Sequence, residues 1–488
     1  MTTDRRSAVR GRSTRVDAEV SGFGRLVAIV LVALVVIGGG AAVVGLTQGP
    51  KLVRTVVDPT GLVESRGQRV VMAVNQPIAD LGADRVSVEP AADFDVSTGD
   101  GGITLVFPEP LAYGTDYRIT VDGVTAPGGG PSAKLTTSFS TPPVEGFSLV
   151  RGEAKQGGSA GKKPEDRIMR LALDGGERQT VYRAAKIQEF ATIGDSLIVV
   201  EQDSSGLGRI VVVDTRDGAT QEVKLPMGGM ITSLQTAPAQ SRVGFLFTEQ
   251  SFGRDGGDNL TLYSFELRSG KPTGPERVGG IDGAAAEAAE WSFVPRTSSM
   301  LVRTVDNSLE LLDPAATTAP VLLGRAALIS SYIPGTTKVV IEQIDGVVVL
   351  DLATGKSEPF VLPSVAPTEI PGQLVALTES LSARIYADYD RAAGTTQQRV
   401  LAIKDGATAV LYTPEPGAVV WSLCASPNAE YVAVVVVPDF ADAGFDGYAN
   451  APMPNGPQIE VVEARTGKVV GTQPGFDLSW CAGTGIAQ

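Results

Sequence analysis

The side chains best suited to contacting a ligand lie in PDFADAGFDGYANAP, residues 438–452. This stretch interleaves Asp439, Asp442 and Asp446 with Phe440, Phe445 and Tyr448. Carboxylates set among aromatic rings suit a sugar or a peptide, since rings stack on apolar faces while carboxylates accept hydrogen bonds. Three aspartates could instead hold calcium, but their spacing lacks the alternate-position pattern of a calcium loop. A third reading is a solvated acidic loop with its aromatics tucked against neighbouring strands.

Other chemistry is narrowed by composition. Histidine is absent from all 488 residues, which removes the commonest general base and the commonest metal ligand. Histidine-dependent triads and histidine–zinc sites are therefore excluded. A paired-carboxylate mechanism remains open, but no Asp-box repeats are visible and no paired carboxylates stand out at comparable inner-strand ends. The expectation is a chain that is not an enzyme and that needs no cofactor and no metal. GGSAGKK (157–163) has the flavour of a phosphate loop, yet Gln156 occupies the required first glycine and Pro164 replaces the Ser/Thr. It reads as a loop.

Charge and hydropathy divide the chain. Residues 1–50 carry six arginines against Asp4, Asp17 and Glu19, a net of +3. The whole chain is at −14, which leaves −17 for residues 51–488. So acidic a surface argues against nucleic acid and against docking on anionic lipid. Residues 23–46 contain a single charge, Arg25, and Leu26 to Leu46 supply 21 uncharged residues, enough to cross a bilayer core as a helix. The preceding arginines place the N-terminus in the cytoplasm and everything after residue 47 outside it. A cleavable signal peptide is the rival reading, but AAVVGL continues the apolar run past any cleavage point. The expected order is a basic disordered head (1–22), a signal-anchor helix (23–46), a small β-sandwich with its linker (47–143) and a larger β domain (144–488).

In the sandwich region short β patterns such as RVSVEP, ITLVF and DYRITV alternate with turn residues. Gly114 suits a turn that needs positive φ, and Tyr117, Ile119 and Val121 fall on one strand face. The phrase PLAYGTDYRITVDGVTAPGGG followed by TTSFSTPP resembles bacterial immunoglobulin-like domains of the S-layer type. That resemblance implies a spacer or adhesion module and no chemistry.

The larger region repeats. An apolar strand, an acidic residue, a Thr-Gly or Asp-Gly turn and a second strand recur in RIVVVDTRDGATQEV, GVVVLDLATGKSEPF and QIEVVEARTGKVVG, among seven such hairpins spaced by roughly 40 to 60 residues. A second hairpin recurs between them, as in WSFVPRTSSMLVRT and WSLCASPNAEYVAVVVV. The two-hairpin unit matches a four-stranded propeller blade, and the region resembles WD40-like or YVTN-like bacterial propellers without their Trp-Asp dipeptide and structural histidine. Three strands at its beginning and FDLSWC at its end combine into one blade, which predicts an all-β, seven-bladed propeller closed by a 1+3 strand clasp. Loops between second and third strands are long in the closing blade and in the first, second, fifth and sixth blades. They should gather on one rim, where recognition belongs. Trp291, Trp421 and Trp480 fall near one repeat position on inner strands, which predicts core packing between adjacent blades, with a channel-lining aromatic site as the alternative. Cys424 and Cys481, the chain's two cysteines, share that inner-strand setting in the sixth and closing blades. An extracytoplasmic disulfide between them would pin the closing strand.

These readings converge on a single-pass membrane protein whose propeller recognises an envelope protein or glycan. A component of an envelope assembly machine and a carboxylate-only glycoside hydrolase are the alternatives.

Overall fold

The computed structural model describes residues 26–35, 49–99, 101–152, 165–171, 173, 178–250, 257–315, 317–366, 368–390 and 395–480. Residues 26–35 are helical, and among the described residues no helix is long and apolar enough to cross a membrane. The remainder of the 23–46 segment, the 1–22 head, the 157–163 loop and Cys481 lie outside the described residues. From there the chain divides into two compact units, the first ending at Thr141 and the second beginning at Pro142 apart from two short stretches.

The first unit has a four-stranded antiparallel sheet, whose central strands are Gln68–Val74 and Gly102–Phe107, and a three-stranded sheet built on Asp116–Val124. Side chains alternate along a strand, so every second residue from Tyr117 to Val121 points inward, and a register shift before Val124 breaks the alternation. Tyr117, Ile119 and Val121 are all buried, packed in one apolar core with Val70, Met72 and Leu105. Gly114 has φ of 56°, a conformation in which a Cβ would be strained.

The second unit is a succession of antiparallel meanders consistent with a β-propeller. Six sheets follow in chain order and are numbered here by their first strands: sheet 1 from Ile187–Ile193, sheet 2 from Gly229–Ala237, sheet 3 from Ala288–Phe293, sheet 4 from Leu328–Tyr332, sheet 5 from Glu369–Ala376 and sheet 6 from Val419–Ala425. A further joining sheet pairs Phe147–Val150, Asp166–Arg170 and Thr180–Ala184. The chain's end returns to it. Leu149 and Phe476 exchange both backbone hydrogen bonds, at 2.8 and 2.9 Å, so the first-strand position of this sheet is filled from the C-terminal side.

The recurrent acidic–x–x–x–Gly phrase explains the outer hairpins. Gly218, Gly355 and Gly467 have φ of 73°, 69° and 72°. Their N–H groups donate to the carbonyls of Asp214, Asp351 and Glu463 at 2.9, 2.7 and 2.9 Å. Only a residue without Cβ accepts that backbone freely, and the preceding carboxylate satisfies further turn N–H groups, as Asp214 does for Arg216. Between sheets, residues from the first three strands of both neighbours share apolar cores, as Ala191, Ile198, Ile210, Ile231, Phe245 and Phe265 do between sheets 1 and 2. Cys424, Leu149, Phe190, Leu478 and Trp480 share one such core where sheet 6, the joining sheet and sheet 1 meet.

Candidate functional site

The loop after Tyr431–Val437 does not behave as one surface element. Asp439 adopts left-handed φ, 47°, and precedes a single helical turn, Phe440–Ala443. Asp439 and Asp442 are exposed, as are the rings of Phe440 and Phe445. Asp446 and Tyr448 instead turn inward. Asp446 pairs with Arg151 at 2.7 Å, and both side chains are only 4% exposed. Tyr448 is buried and its hydroxyl donates to Asp166, whose carboxylate also accepts the N–H groups of Gly152 and Ile187 at 2.8 Å each. Of the six candidate residues, two are thus devoted to holding the loop, and four remain outward.

Arg151 is the centre of this arrangement. Its Nε donates to the Ile187 carbonyl at 3.2 Å and one terminal nitrogen to the Gln188 carbonyl at 2.6 Å. The other terminal nitrogen donates to Asp446 and to the Ala451 carbonyl at 3.1 Å. The guanidinium lies 3.7 Å from the Tyr448 ring centroid, a cation–π contact on a nearly desolvated charge. Burial and the bond to Asp166 raise the Tyr448 hydroxyl above its ordinary range, so it stays a donor.

Held this way, residues 445–453 roof a cavity of about 740 Å³. Its walls come from sheet 1, sheet 2, sheet 6 and the returning C-terminal segment. Phe190, Trp421, Phe445 and Phe476 give it aromatic faces. Trp421 is 37% exposed, whereas Trp291 is wholly buried and Trp480 nearly so. The tryptophans of sheet 3 and of the C-terminal segment pack as expected from the repeat. Trp421 departs from that expectation because it is the residue inside the register shift between Val420 and Ser422, whereas Trp291 follows the corresponding shift between Ala288 and Glu290. Its ring stands 6.4 Å from that of Phe440.

Two carboxyl groups also line the cavity, Glu189 and Asp477. Glu189 accepts the Leu234 N–H of the next sheet at 2.8 Å, and Asp477 is bonded to the Phe190 backbone. The same device recurs where Gln373 accepts the Leu423 N–H at 2.7 Å and Glu290 accepts the Ile329 N–H at 3.1 Å. First strands are therefore tied sheet to sheet by one acceptor position. Glu189 lies on the first strand of sheet 1, and Asp477 lies in the returning C-terminal segment just after the isolated Leu149–Phe476 bridge. Burial raises Glu189 to about 8, with the negative charge of Asp477 adding to the rise. Burial likewise raises Asp477 to about 6, with the Arg151 charge pulling the other way in both cases. Glu290 differs, because Arg303 pairs with it at 3.0 Å.

Sequence reasoning missed Glu189, Asp477, Arg151 and Asn450. A signal was present: IQEFATI, AEWSF and FDLSW each place an acid directly before a large apolar residue. Among the described residues no group of three or more acidic or sulfur side chains is arranged to hold a metal ion. Cys424 is buried and carries no free thiol.

No family model matches the chain, and no curated protein matches it. Among solved structures it is similar to the β-propeller domain of the Trilobed protease from Pyrococcus furiosus, at 8% identity over 78% of this chain and 97% of that one, TM-score 0.41. It is similar to an oligogalacturonate lyase in complex with manganese, at 11% identity over 82% of this chain and 98% of that one, TM-score 0.42. A prolyl endopeptidase structure is matched at 11% identity over 68% of this chain and 50% of that one, TM-score 0.45.

Proposed function

We infer that the chain is a membrane-anchored, extracytoplasmic binding protein whose propeller recognises a cell-envelope glycan, or a partner protein, through the cavity and its roofing loop. The observation that carries this reading is that Trp421 and Phe445 are exposed at an aromatic-walled cavity beside a buried Arg151–Asp446 clamp. Concavity favours a glycan over a flat protein face, because a chain of sugar rings can enter and stack. In this reading the first unit is an immunoglobulin-like spacer of the S-layer type. The second is a seven-bladed, WD40-like or YVTN-like ring closed by a 1+3 clasp, with Cys424 bonded to Cys481 across the closure. Residues 23–46 anchor the chain, with the arginine-rich head in the cytoplasm.

Probing the purified chain against an array of envelope glycans tests this. Binding by the parent that is lost in Trp421→Ala with Phe445→Ala, at unchanged melting temperature, supports it. Binding that survives the double substitution sinks it.

A second reading is a carboxylate-only glycoside hydrolase, and the position of Glu189 and Asp477 in the cavity favours it. Release of new reducing ends from a bound glycan, abolished in Glu189→Gln, would support hydrolysis over binding alone. An envelope assembly role instead rests on the cytoplasmic head, and deleting residues 1–22 tests it.

A further inference from the structure

Sheets 3 to 6 repeat one surface feature. At the turn between second and third strands, each presents a large apolar side chain beside an acid: Val305–Asp306, Ile344–Asp345, Asp388–Tyr389 and Asp439–Phe440. All of these side chains are exposed, Ile344 fully and Val305 by more than half. The matching turn of sheet 1 is instead closed on itself. Asp203 there accepts the N–H groups of Ser205 and Leu207 at 2.8 and 3.0 Å, and Leu207 is half-buried.

The four turns stand on one rim. Neighbouring first strands are tied side by side: Glu290 accepts the Ile329 N–H, Ser331 Oγ the Ala376 N–H at 3.0 Å, and Gln373 the Leu423 N–H. In an antiparallel meander the turn between second and third strands lies at the end where the first strand begins. Ile370, near the start of the first strand of sheet 5, is more than half exposed at that end. Both Ile370 and Gln398 pair with Ala387, and Gln398 accepts the Val420 N–H of sheet 6 at 2.6 Å. That link sets Ile370 close to the first strand of sheet 6, where the Trp421 ring stands by Phe440. Among the described residues none of the four acids lies in a salt bridge. The Asp306 carboxylate accepts from Thr304 and Ser308, and Arg325 donates to its backbone carbonyl instead. Arg399 of sheet 5 is taken by Glu369.

We propose that this rim docks a basic, amphipathic segment of a partner protein, with its apolar side chains against Val305, Ile344, Ile370 and Phe440 and its lysines or arginines beside the acids. A row of exposed apolar side chains marks an interaction surface, and the acids select the charge of what covers it. Anionic lipid is repelled by them, and a second copy brings a net of −17 over residues 51–488. Valine and isoleucine offer a sugar no ring to stack on. Val305, Ile344, Ile370 and Tyr389 lie outside the cavity lining, so this docking goes beyond the reading above and stands whatever the cavity holds.

Fluorescence anisotropy on the full chain in zwitterionic nanodiscs, with empty nanodiscs as the blank, tests this with three labelled synthetic helices. One carries leucines on one face and lysines on the other. The second has glutamates for the lysines, and the third serines for the leucines. The leucine–lysine helix should bind at physiological salt, and the other two at least about tenfold more weakly. Ile344→Ser with Ile370→Ser should weaken its binding about tenfold or more at unchanged melting temperature. Asp345→Asn with Asp388→Asn and Asp439→Asn should weaken it and flatten its salt dependence. Failure of the leucine–lysine helix to bind, or equal binding by either control helix, overturns the proposal. Parental affinity in either variant also overturns it, because the helix then sits elsewhere. Self-association of the parent in sedimentation velocity, abolished by the isoleucine substitutions, makes the occupant a second copy and overturns it as well.

Discussion

Arg151 and Asp446 stand 295 residues apart in the chain and meet at 2.7 Å with both side chains almost wholly withdrawn from solvent. One belongs to the first strand-bearing stretch of the second unit, the other to its last long loop. A buried ion pair is worth little over an apolar replacement, but removing one partner leaves a charge without compensation. Asp446→Ala or Arg151→Ala should each destabilise the second unit by about 3–5 kcal/mol. The double variant should lose less than the sum, with a coupling above about 1 kcal/mol in a double-mutant cycle by chemical denaturation. Additive losses would show that the pair does not clamp the loop.

Tyr448 gives a gentler test of the same clamp. Tyr448→Phe keeps the ring under Arg151 and removes the hydroxyl that donates to Asp166. A loss of about 1–2 kcal/mol is expected, with faster amide exchange confined to residues 445–453 and 165–170. Exchange that is unchanged in both segments would contradict it.

The cavity acids set a pH dependence whose sign is fixed. Glu189 and Asp477 titrate higher in the folded chain, about 8 and about 6, than carboxyls do in an unfolded one. Their protonated forms stabilise the fold fully below the unfolded carboxylate range. That contribution is lost as pH rises through about 6 for Asp477 and about 8 for Glu189. Glu189→Gln still accepts the Leu234 N–H and never ionises. It should therefore gain several kcal/mol over the parent at about pH 9 and almost nothing at about pH 4. Guanidinium unfolding at both pH values checks this, and equal gains at the two would refute it.

The proposed Cys424–Cys481 bond would close a loop of 57 residues and constrain the unfolded chain by roughly 4 kcal/mol on the entropic view. Peptide mapping without reductant should recover the two cysteines in one linked species. Reduction should then raise exchange in residues 475–480. Recovery of two alkylatable thiols from the unreduced folded chain would exclude the bond.

Much of the architecture was legible because it is local. The Asp214–Gly218, Asp351–Gly355 and Glu463–Gly467 turns follow from glycine's backbone freedom and a neighbouring acid, both visible in the letters. The inward face of Tyr117, Ile119 and Val121 follows from simple alternation. The site was legible only in its roof. Residues 438–452 looked like a uniform acidic, aromatic loop. Which members turn inward depends on Arg151 and Asp166, brought there by strands far away in sequence. Glu189 and Asp477 were illegible for a related reason: each is an ordinary acid within its own hairpin. They come to line one cavity only when the C-terminal segment returns to Leu149. Trp421 and Trp291 looked equivalent in the letters, but Trp421 sits inside the register shift of its first strand and Trp291 after that of its own.

Tryptophan fluorescence addresses the cavity most directly, since the chain has only three tryptophans and Trp421 alone among them is substantially exposed. Acrylamide should quench the parent mainly through Trp421, and saturation with a glycan selected on the array should shield it. Trp421→Phe should show little accessible quenching with or without that glycan. A glycan that binds tightly while leaving Trp421 fully open to acrylamide would place recognition elsewhere on the molecule.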